Sequence, residues 1–348
     1  MRRRLLLAVV DVYLMQGDFI SAEAALQQTL ALFDPSVPNV QRTKALDGMG
    51  DIRFQQGRLQ EATAYYHEAQ EIRRAALGDN HPVLSDSLQK LAAVEWGEGR
   101  YEQAIRLFRQ AREILGPEER DAPLALSLIA NVGLIMVDRG QVDEGLAVMR
   151  SVLPRFEATF GRDHTEVARI QMQIGVAFGK LGKHAEAEPL LQGASEVFAA
   201  KEGSETIDAA MALYEQAELQ RRRKRLGEAI ATYRRSLAIV AATMGKGFRG
   251  AGHVLTGLGL TYLAQRRYAE AATALQRALT LREGDRIGPE KLAETRFALA
   301  QALYAIGDKP RAVALARAAR DDYGRASVVN AAVEQKAIDD WLRPRSRE

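Results

Sequence analysis

Hydrophobic residues recur at helical spacing along almost the whole chain. In the segment QAIRLFRQAREIL, residues 103–115, apolar side chains return every three or four positions, as on one face of an amphipathic α-helix. Similar segments alternate with short turns across the 348 residues. The pattern therefore predicts an all-α protein built from paired helices.

The paired helices form a repeat whose turns recur 40 to 42 residues apart. A period in this range is typical of stacked supersecondary units. Glycine at most turns predicts a helix ending with positive φ, and we expect the two turns without glycine to use a different ending. The turn positions are Gly17, Gly57, Gly99, Gly140, Gly182, Lys224, Arg266 and Gly307.

Columns of small residues flank these turns. Two antiparallel helices can cross closely only where side chains are small, and a larger residue can then fill the gap towards the next hairpin. The column seven residues before the turn holds Val10, Gly50, Ala92, Gly133, Gly175, Ala217, Gly259 and Ala300. The column five residues after it holds Ala22, Ala62, Ala104, Gly145, Ala187, Ala229, Ala271 and Ala312. Nine residues after it stand Tyr66, Phe108, Met149, Leu191, Tyr233 and Leu275.

This pattern resembles the tetratricopeptide repeat, and its 42-residue form resembles the repeats of kinesin light chain. The segments that carry the resemblance are LGDNHPVLSDSLQKLA (77–92), FGRDHTEVA (160–168) and GKHAEAEPL (182–190). The resemblance implies a right-handed superhelical α-solenoid of about eight helical hairpins. It also implies that the first helix of each hairpin lines a concave groove, which binds a peptide or helix of a partner protein.

Eight polar residues occupy positions that the resemblance assigns to this groove. They are expected either to bind the partner or simply to be solvated. Only Asn131 matches the lysine and asparagine clamp of chaperone-binding members, so we do not expect a chaperone partner. The partner-binding candidates are Gln89, Lys90, Asn131, Gln173, Glu215, Glu218, Arg222 and Gln301.

The two ends of the chain differ. We expect residues 1–323 to form the repeat array and residues 324–348 to form a capping helix with a short polar tail. In the second segment, an apolar stripe at helical spacing is made by Val329, Val333, Ala337, Trp341 and Leu342. Apolar residues surround the first helix on all sides from Leu5 to Val10, which predicts either self-association there or a missing upstream segment.

Composition excludes several classes of function. With 48 basic and 45 acidic residues, the net charge of +3 does not indicate a nucleic-acid binder. The basic run from Arg221 to Arg225 is read as a solvated helix end rather than a phosphate site. The absence of cysteine excludes disulfides and thiolate sites and favours the cytoplasm. Abundant arginine and alanine indicate a bacterial source, and no apolar run is long enough to span a membrane.

Two sequence motifs partly match patterns of cofactor-binding and metal-binding sites. The G-x-G-x-x-G pattern at Gly245, Gly247 and Gly250 lies in an interrepeat linker, without the preceding strand of a dinucleotide site. HEAQE, from His67, has Glu71 where a zinc motif needs a second histidine. No G-x-S-x-G, P-loop or EF-hand pattern occurs. We therefore predict no catalytic residues, no metal and no cofactor.

Two functions remain open. The first is a non-catalytic scaffold that binds a protein segment. The second is a regulatory or sensor arm of a larger signalling protein, a serine/threonine kinase or a transcriptional regulator, separated from its effector domain. Residues 292–323 resemble the C-terminal repeat tails of large bacterial serine/threonine kinases, although the chain has no H-R-D or D-F-G motif.

Overall fold

The computed structural model describes residues 2–15, 19–34, 37, 39–56, 58–119, 122–201, 203, 206–244, 250–283 and 287–345. These residues form α-helices and no strand, so the predicted all-α class is confirmed. The helices are α1 (Arg2–Met15), α2 (Phe19–Leu30), α3 (Val40–Gln55), α4 (Leu59–Leu77), α5 (Val83–Gly97), α6 (Tyr101–Leu115), α7 (Pro123–Arg139), α8 (Val142–Phe160), α9 (Thr165–Lys180), α10 (His184–Lys201), α11 (Ile207–Arg222), α12 (Leu226–Met244), α13 (Ala251–Ala264), α14 (Tyr268–Arg282), α15 (Pro289–Ala305), α16 (Lys309–Arg325) and α17 (Ala331–Arg345).

Neighbouring helices pack as hairpins, and each hairpin packs on the next. Helix α3 packs on α4, α9 on α10 and α15 on α16, while α4 also packs on α5 and α10 on α11. A hairpin buries one face internally and the other against its neighbour, which is why the repeat must continue along the chain. The helical repeat architecture predicted from the period is confirmed.

The chain divides into two compact units, residues 1–129 and residues 130–348. The first unit holds α1 to α6, and its core includes Leu26, Met49 and Ile52. In this unit α1 buries Val10 but exposes 66% of Leu5. The second unit holds α8 to α17, and its core includes Tyr233 and Leu275. Helix α7 contributes residues to both units.

Small residues lie where the two helices of a hairpin cross. A Cβ atom added at Gly145 would lie 2.4 Å from the carbonyl oxygen of Gly133, so these backbones touch. The alanines of the column five residues after the turn are completely buried. The large residues fill the gaps as predicted: a Cβ atom at Gly259 would lie 2.4 Å from Leu275. The crossing points deduced from the sequence are confirmed.

The prediction of a different helix ending at Lys224 and Arg266 is wrong. Both residues have φ of 59°, in the same left-handed region as the turn glycines. The N–H of Arg225 donates to the carbonyl oxygen of Gln220 at 2.9 Å, as that of Arg100 donates to Glu95 at 2.8 Å. This hydrogen-bond pattern closes the helix only when the turn residue is left-handed, whatever its side chain. Gly17 and Gly57 lie outside the described residues.

The apolar stripe predicted for the C-terminal helix is wrong at Val329, Val333 and Ala337, which are all exposed. Helix α17 begins after Val329, and both Val329 and Val333 are 68% exposed. The buried face of α17 instead carries Ile338 and Leu342, and the helix packs on α16. Trp341 meets the rings of Phe297 and Tyr304 edge-on, with centroids 5.8 and 5.5 Å away. These contacts set the rotation of the helix.

Candidate functional site

The first helices of the second unit lie side by side. Helix α9 contacts α11, α11 contacts α13, and α13 contacts α15. We call the surface that these helices share the first-helix face. Side chains from neighbouring hairpins can meet on it, which an isolated hairpin does not allow.

A cavity of about 130 Å³ opens between α9 and α11, and we call it the α9–α11 cavity. It brings together three of the predicted partner-binding residues, Glu215, Glu218 and Arg222. The other lining residues are Asp138 of α7, Gly175, Val176, Gly179 and Lys180 of α9, Leu191 of α10, and Tyr214 and Leu219 of α11.

Most charged groups in the α9–α11 cavity have an opposite charge nearby. The Lys180 Nζ atom lies 3.2 Å from Asp138 Oδ1. Glu218 Oε2 lies 2.7 Å from the guanidinium of Arg221 and 4.0 Å from Nε of Arg222. Among the described residues, Glu215 makes neither an ion pair nor a hydrogen bond. The carboxyl of Glu215 is therefore the one in the cavity that no described residue pairs with.

The environments of the two glutamates shift their pKa values in opposite directions. Burial, reinforced by the charge of Glu218, raises the pKa of Glu215 to about 8, against the opposing pull of Lys180. Burial also acts to raise the pKa of Glu218. The charge and hydrogen bonds of Arg221 outweigh it, so the pKa of Glu218 lies below its ordinary value. At neutral pH Glu218 is ionised, whereas Glu215 is mostly protonated.

Glu218 is also held by the second helix of its own hairpin. The hydroxyl of Tyr233, on α12, donates to Glu218 Oε1. A Cβ atom at Gly257 of α13 would lie 2.6 Å from this hydroxyl and 2.7 Å from the carboxylate oxygen. Any other residue at this position would push the pair aside. Glu218 is therefore a fixed part of the cavity wall.

The remaining predicted site residues are spread over both units. In the second unit Asn131, Gln173 and Gln301 are half-buried on α7, α9 and α15. The Oε1 atom of Gln173 is buried and has no hydrogen-bond partner among the described residues. In the first unit Gln89 is half-buried, and Lys90 donates to Asp51 at 2.7 Å. None of these five residues lines the α9–α11 cavity.

Sequence reasoning missed the other two charged residues of the α9–α11 cavity, Asp138 and Lys180. Each precedes a counterpart by one period: Asp138 lies 42 residues before Lys180, and Lys180 lies 42 residues before Arg222. Applying the repeat to Arg222 alone would have found both of them. The period places Lys180 and Asp138 at equivalent positions of neighbouring hairpins.

The arginines of the basic run from Arg221 to Arg225 lie close to carboxylates of the chain itself. Arg221 and Arg222 lie against Glu218, while Arg223 and Arg225 both pair with Glu188 of α10. Lys224 is the turn residue. Four arginines of the run are thus within ion-pair distance of carboxylates, which fits the reading as a helix end.

The residues considered for other chemistry have structural contacts. His81 and His164 each accept a backbone N–H two residues on at 3.2 Å, as helix-start residues do. His67 is exposed on α4. Across the described ranges, no group of three histidine, aspartate or glutamate side chains could hold a metal ion. Of the G-x-G-x-x-G pattern, Gly245 and Gly247 lie outside the described residues.

None of the helices in the described part of the chain has the length and apolar character needed to cross a bilayer. This finding agrees with the polar residues that interrupt every apolar run of the sequence.

Comparison with known families identifies the repeat. The profile described as Tetratricopeptide repeat matches residues 41–115, 124–200 and 208–284. A second profile with the same description matches residues 172–243 and 256–327. Together these matches cover most of the hairpins.

Curated relatives support the resemblance to kinesin light chain. The chain is 25% identical over 280 residues to Protein KINESIN LIGHT CHAIN-RELATED 1 of Arabidopsis thaliana, covering 78% of this chain and 45% of that protein. It is 24% identical over 188 residues to the RxLR effector protein SFI4 of Phytophthora infestans strain T30-4, covering 53% and 55%. The chain spans about half the length of the curated relatives it matches.

Two solved structures share the fold at low identity. A Rap protein complexed with Competence and Sporulation Factor matches with a TM-score of 0.60 and 14% identity, over 99% of each chain. The APC/C hetero-tetramer Cut9-Hcn1 matches with a TM-score of 0.61 and 15% identity, over 96% of this chain and 55% of that one. Both comparisons agree with the helical repeat architecture described above.

Proposed function

Because the chain belongs to the tetratricopeptide repeat family, we propose that it is a non-catalytic scaffold that binds a segment of a partner protein. The segment lies as a peptide or helix on the surface formed by the first helices. Asn131, Gln173, Glu215, Glu218 and Arg222 contact it in the second unit. Tetratricopeptide repeats generally mediate protein–protein interactions, and the cytoplasm of a bacterium is the location that the composition favours.

The observation that carries the proposal is the α9–α11 cavity on the first-helix face. Three of its four helices contribute charged side chains, and one carboxyl among them makes no ion pair. Nearby on α9, the buried Oε1 atom of Gln173 is an acceptor without a donor. Buried polar atoms normally find partners, so the Oε1 atom of Gln173 suits a contact with a bound chain. The Rap protein, which has a similar fold, is itself complexed with a factor.

The experiment is a peptide-library screen with the full chain, followed by affinity measurements on variants. We expect Gln173→Ala and Asn131→Ala to weaken binding of the selected peptides about fivefold or more, because each removes polar contacts to the segment. Gln192→Ala on the second helix α10 serves as the matched control, since its side chain is exposed on the other helix of the same hairpin.

Equal losses in the control and in the two variants would contradict the proposal. So would photo-crosslinks that map the bound peptides to second helices such as α10 or α12. Turnover of a substrate by the purified chain would contradict the non-catalytic assignment.

A further inference from the structure

We propose that the α9–α11 cavity receives an arginine or lysine side chain of the bound partner, with Glu215 as its counter-ion. This inference rests on the proposed function, because the cation arrives as part of a segment that lies on the first-helix face. It goes further by naming the chemistry of the partner.

The distribution of charge in the cavity selects a cation. Three carboxyl groups and two cationic groups line it. Lys180 is paired with Asp138, and Arg222 lies 4.0 Å from Glu218. Glu215 is the lining carboxyl group that makes no ion pair among the described residues. Glu218 is already held by Arg221 at 2.7 Å, so an entering cation can pair with Glu215 without displacing an existing ion pair.

The shape of the cavity suits a long aliphatic side chain with a charged end. Gly179 of α9 presents no side chain to the cavity, and a Cβ atom there would lie 3.7 Å from Leu219. Val176, Leu191 and Leu219 provide apolar surface for methylene groups. Lysine and arginine bury such stems against apolar surface while their charged ends reach polar groups. Glu215 and Glu218 supply the polar end.

The ionisation of Glu215 couples this binding to pH. Its carboxyl faces Glu218 and Arg222 on its own helix, Lys180 on α9 and Asp138 on α7. With a pKa of about 8, Glu215 is mostly protonated at neutral pH and must lose its proton to pair with a cation. A bound cation therefore releases a proton. Binding strengthens as the pH rises towards 8 and levels off above it.

The test uses the full chain labelled with ¹³C in its glutamate carboxyls and two small probes. The first probe is N-acetyl-arginine N-methylamide, and the second is its neutral isostere N-acetyl-citrulline N-methylamide. We expect the arginine probe to lower the pKa of Glu215 by about one unit, equivalent to a tenfold stabilisation of the ionised form. The citrulline probe is expected to leave that pKa unchanged.

Variants link the effect to Glu215. Glu215→Gln keeps the shape of the protonated side chain, and its helical circular dichroism checks that the chain is folded. We expect this variant to lose the saturable shifts that the arginine probe causes at the amides of Gly179 and Lys180. Glu144→Gln, an exposed carboxylate on α8, is the matched control and is expected to keep them.

An equal pKa shift with the citrulline probe would overturn the inference, as would the absence of any shift at the highest soluble concentration of the arginine probe. Peptides that bind the first-helix face but leave the pKa of Glu215 unchanged would overturn this inference while the proposed function stands. If the arginine probe lowers the pKa of Glu215 but the chain binds no peptide, only the proposed function would be contradicted.

Discussion

The backbone N–H of Val329 donates a 3.0 Å hydrogen bond to the carbonyl oxygen of Arg139, although four complete hairpins separate the two residues. Both residues belong to the second unit. The loop between α16 and α17 thus touches the turn between α7 and α8. Gly140 lies beneath this contact with φ of 101°, and a Cβ atom there would be 3.3 Å from Val329 Cβ.

Gly140→Val is expected to break this contact. The substitution strains a left-handed backbone at a cost of about 1–3 kcal/mol and also crowds Val329. Gly182→Val is the matched control, because Gly182 is the equivalent turn residue with φ of 74° and open space around its Cβ position. Hydrogen exchange of the Val329 amide should accelerate in the first variant and not in the second.

Unchanged protection of the Val329 amide in Gly140→Val would show that the loop does not depend on the turn. Equal acceleration in both variants would instead assign the effect to general destabilisation of the unit.

Ala104→Leu is expected to force the third hairpin apart. Ala104 is completely buried on α6, at the column where helices cross, so three extra carbon atoms overpack the hairpin by about 1–3 kcal/mol. Gln110→Leu introduces the same side chain at an exposed position of the same helix and is expected to cost little. Urea unfolding of both variants measures the difference. Equal effects would mean that the buried face of α6 is wrongly assigned.

Arg266→Gly is expected to stabilise the protein relative to Arg266→Ala. Arg266 has φ of 59°, a conformation that costs a residue with a Cβ atom about 1 kcal/mol and costs glycine nothing sterically. Both variants remove the same charged side chain, so their difference isolates the backbone. Thermal unfolding provides the measurement, and an equal midpoint in the two variants would contradict the strain.

Glu215→Gln is expected to change how stability depends on pH. Because the pKa of Glu215 rises from 4.5 to about 8 on folding, the folded chain binds this proton more tightly than the unfolded chain. The stability linked to the proton is fully present below pH 4.5 and is lost as the pH rises to 8. The variant cannot lose it and should be more stable than the parent above pH 8, by on the order of 1 kcal/mol or more.

Urea unfolding at several pH values from 4 to 9 checks this prediction, with Glu144→Gln as the control. A difference between parent and Glu215→Gln that stays constant over this range would contradict the raised pKa.

The hairpins themselves could be predicted from the sequence because their contacts are local. A small residue must recur wherever two helices cross, so columns such as Gly133 and Gly145 reveal the pairing directly. The resemblance to the tetratricopeptide repeat, rather than the period, pointed to three of the residues that line the cavity, Glu215, Glu218 and Arg222. The prediction of a different helix ending failed at Lys224 and Arg266 because the hydrogen bonds of the turn, rather than the residue type, impose the left-handed conformation.

By itself, then, the amino-acid sequence determined the repeat and the crossing points. Only the tertiary structure decided that Lys180 pairs with Asp138 and leaves Glu215 alone, because that outcome depends on side-chain distances among three helices. The contact between Val329 and Arg139 was likewise decided in three dimensions. Small rotations between neighbouring hairpins add up over the second unit, and no residue pattern within one repeat encodes their sum.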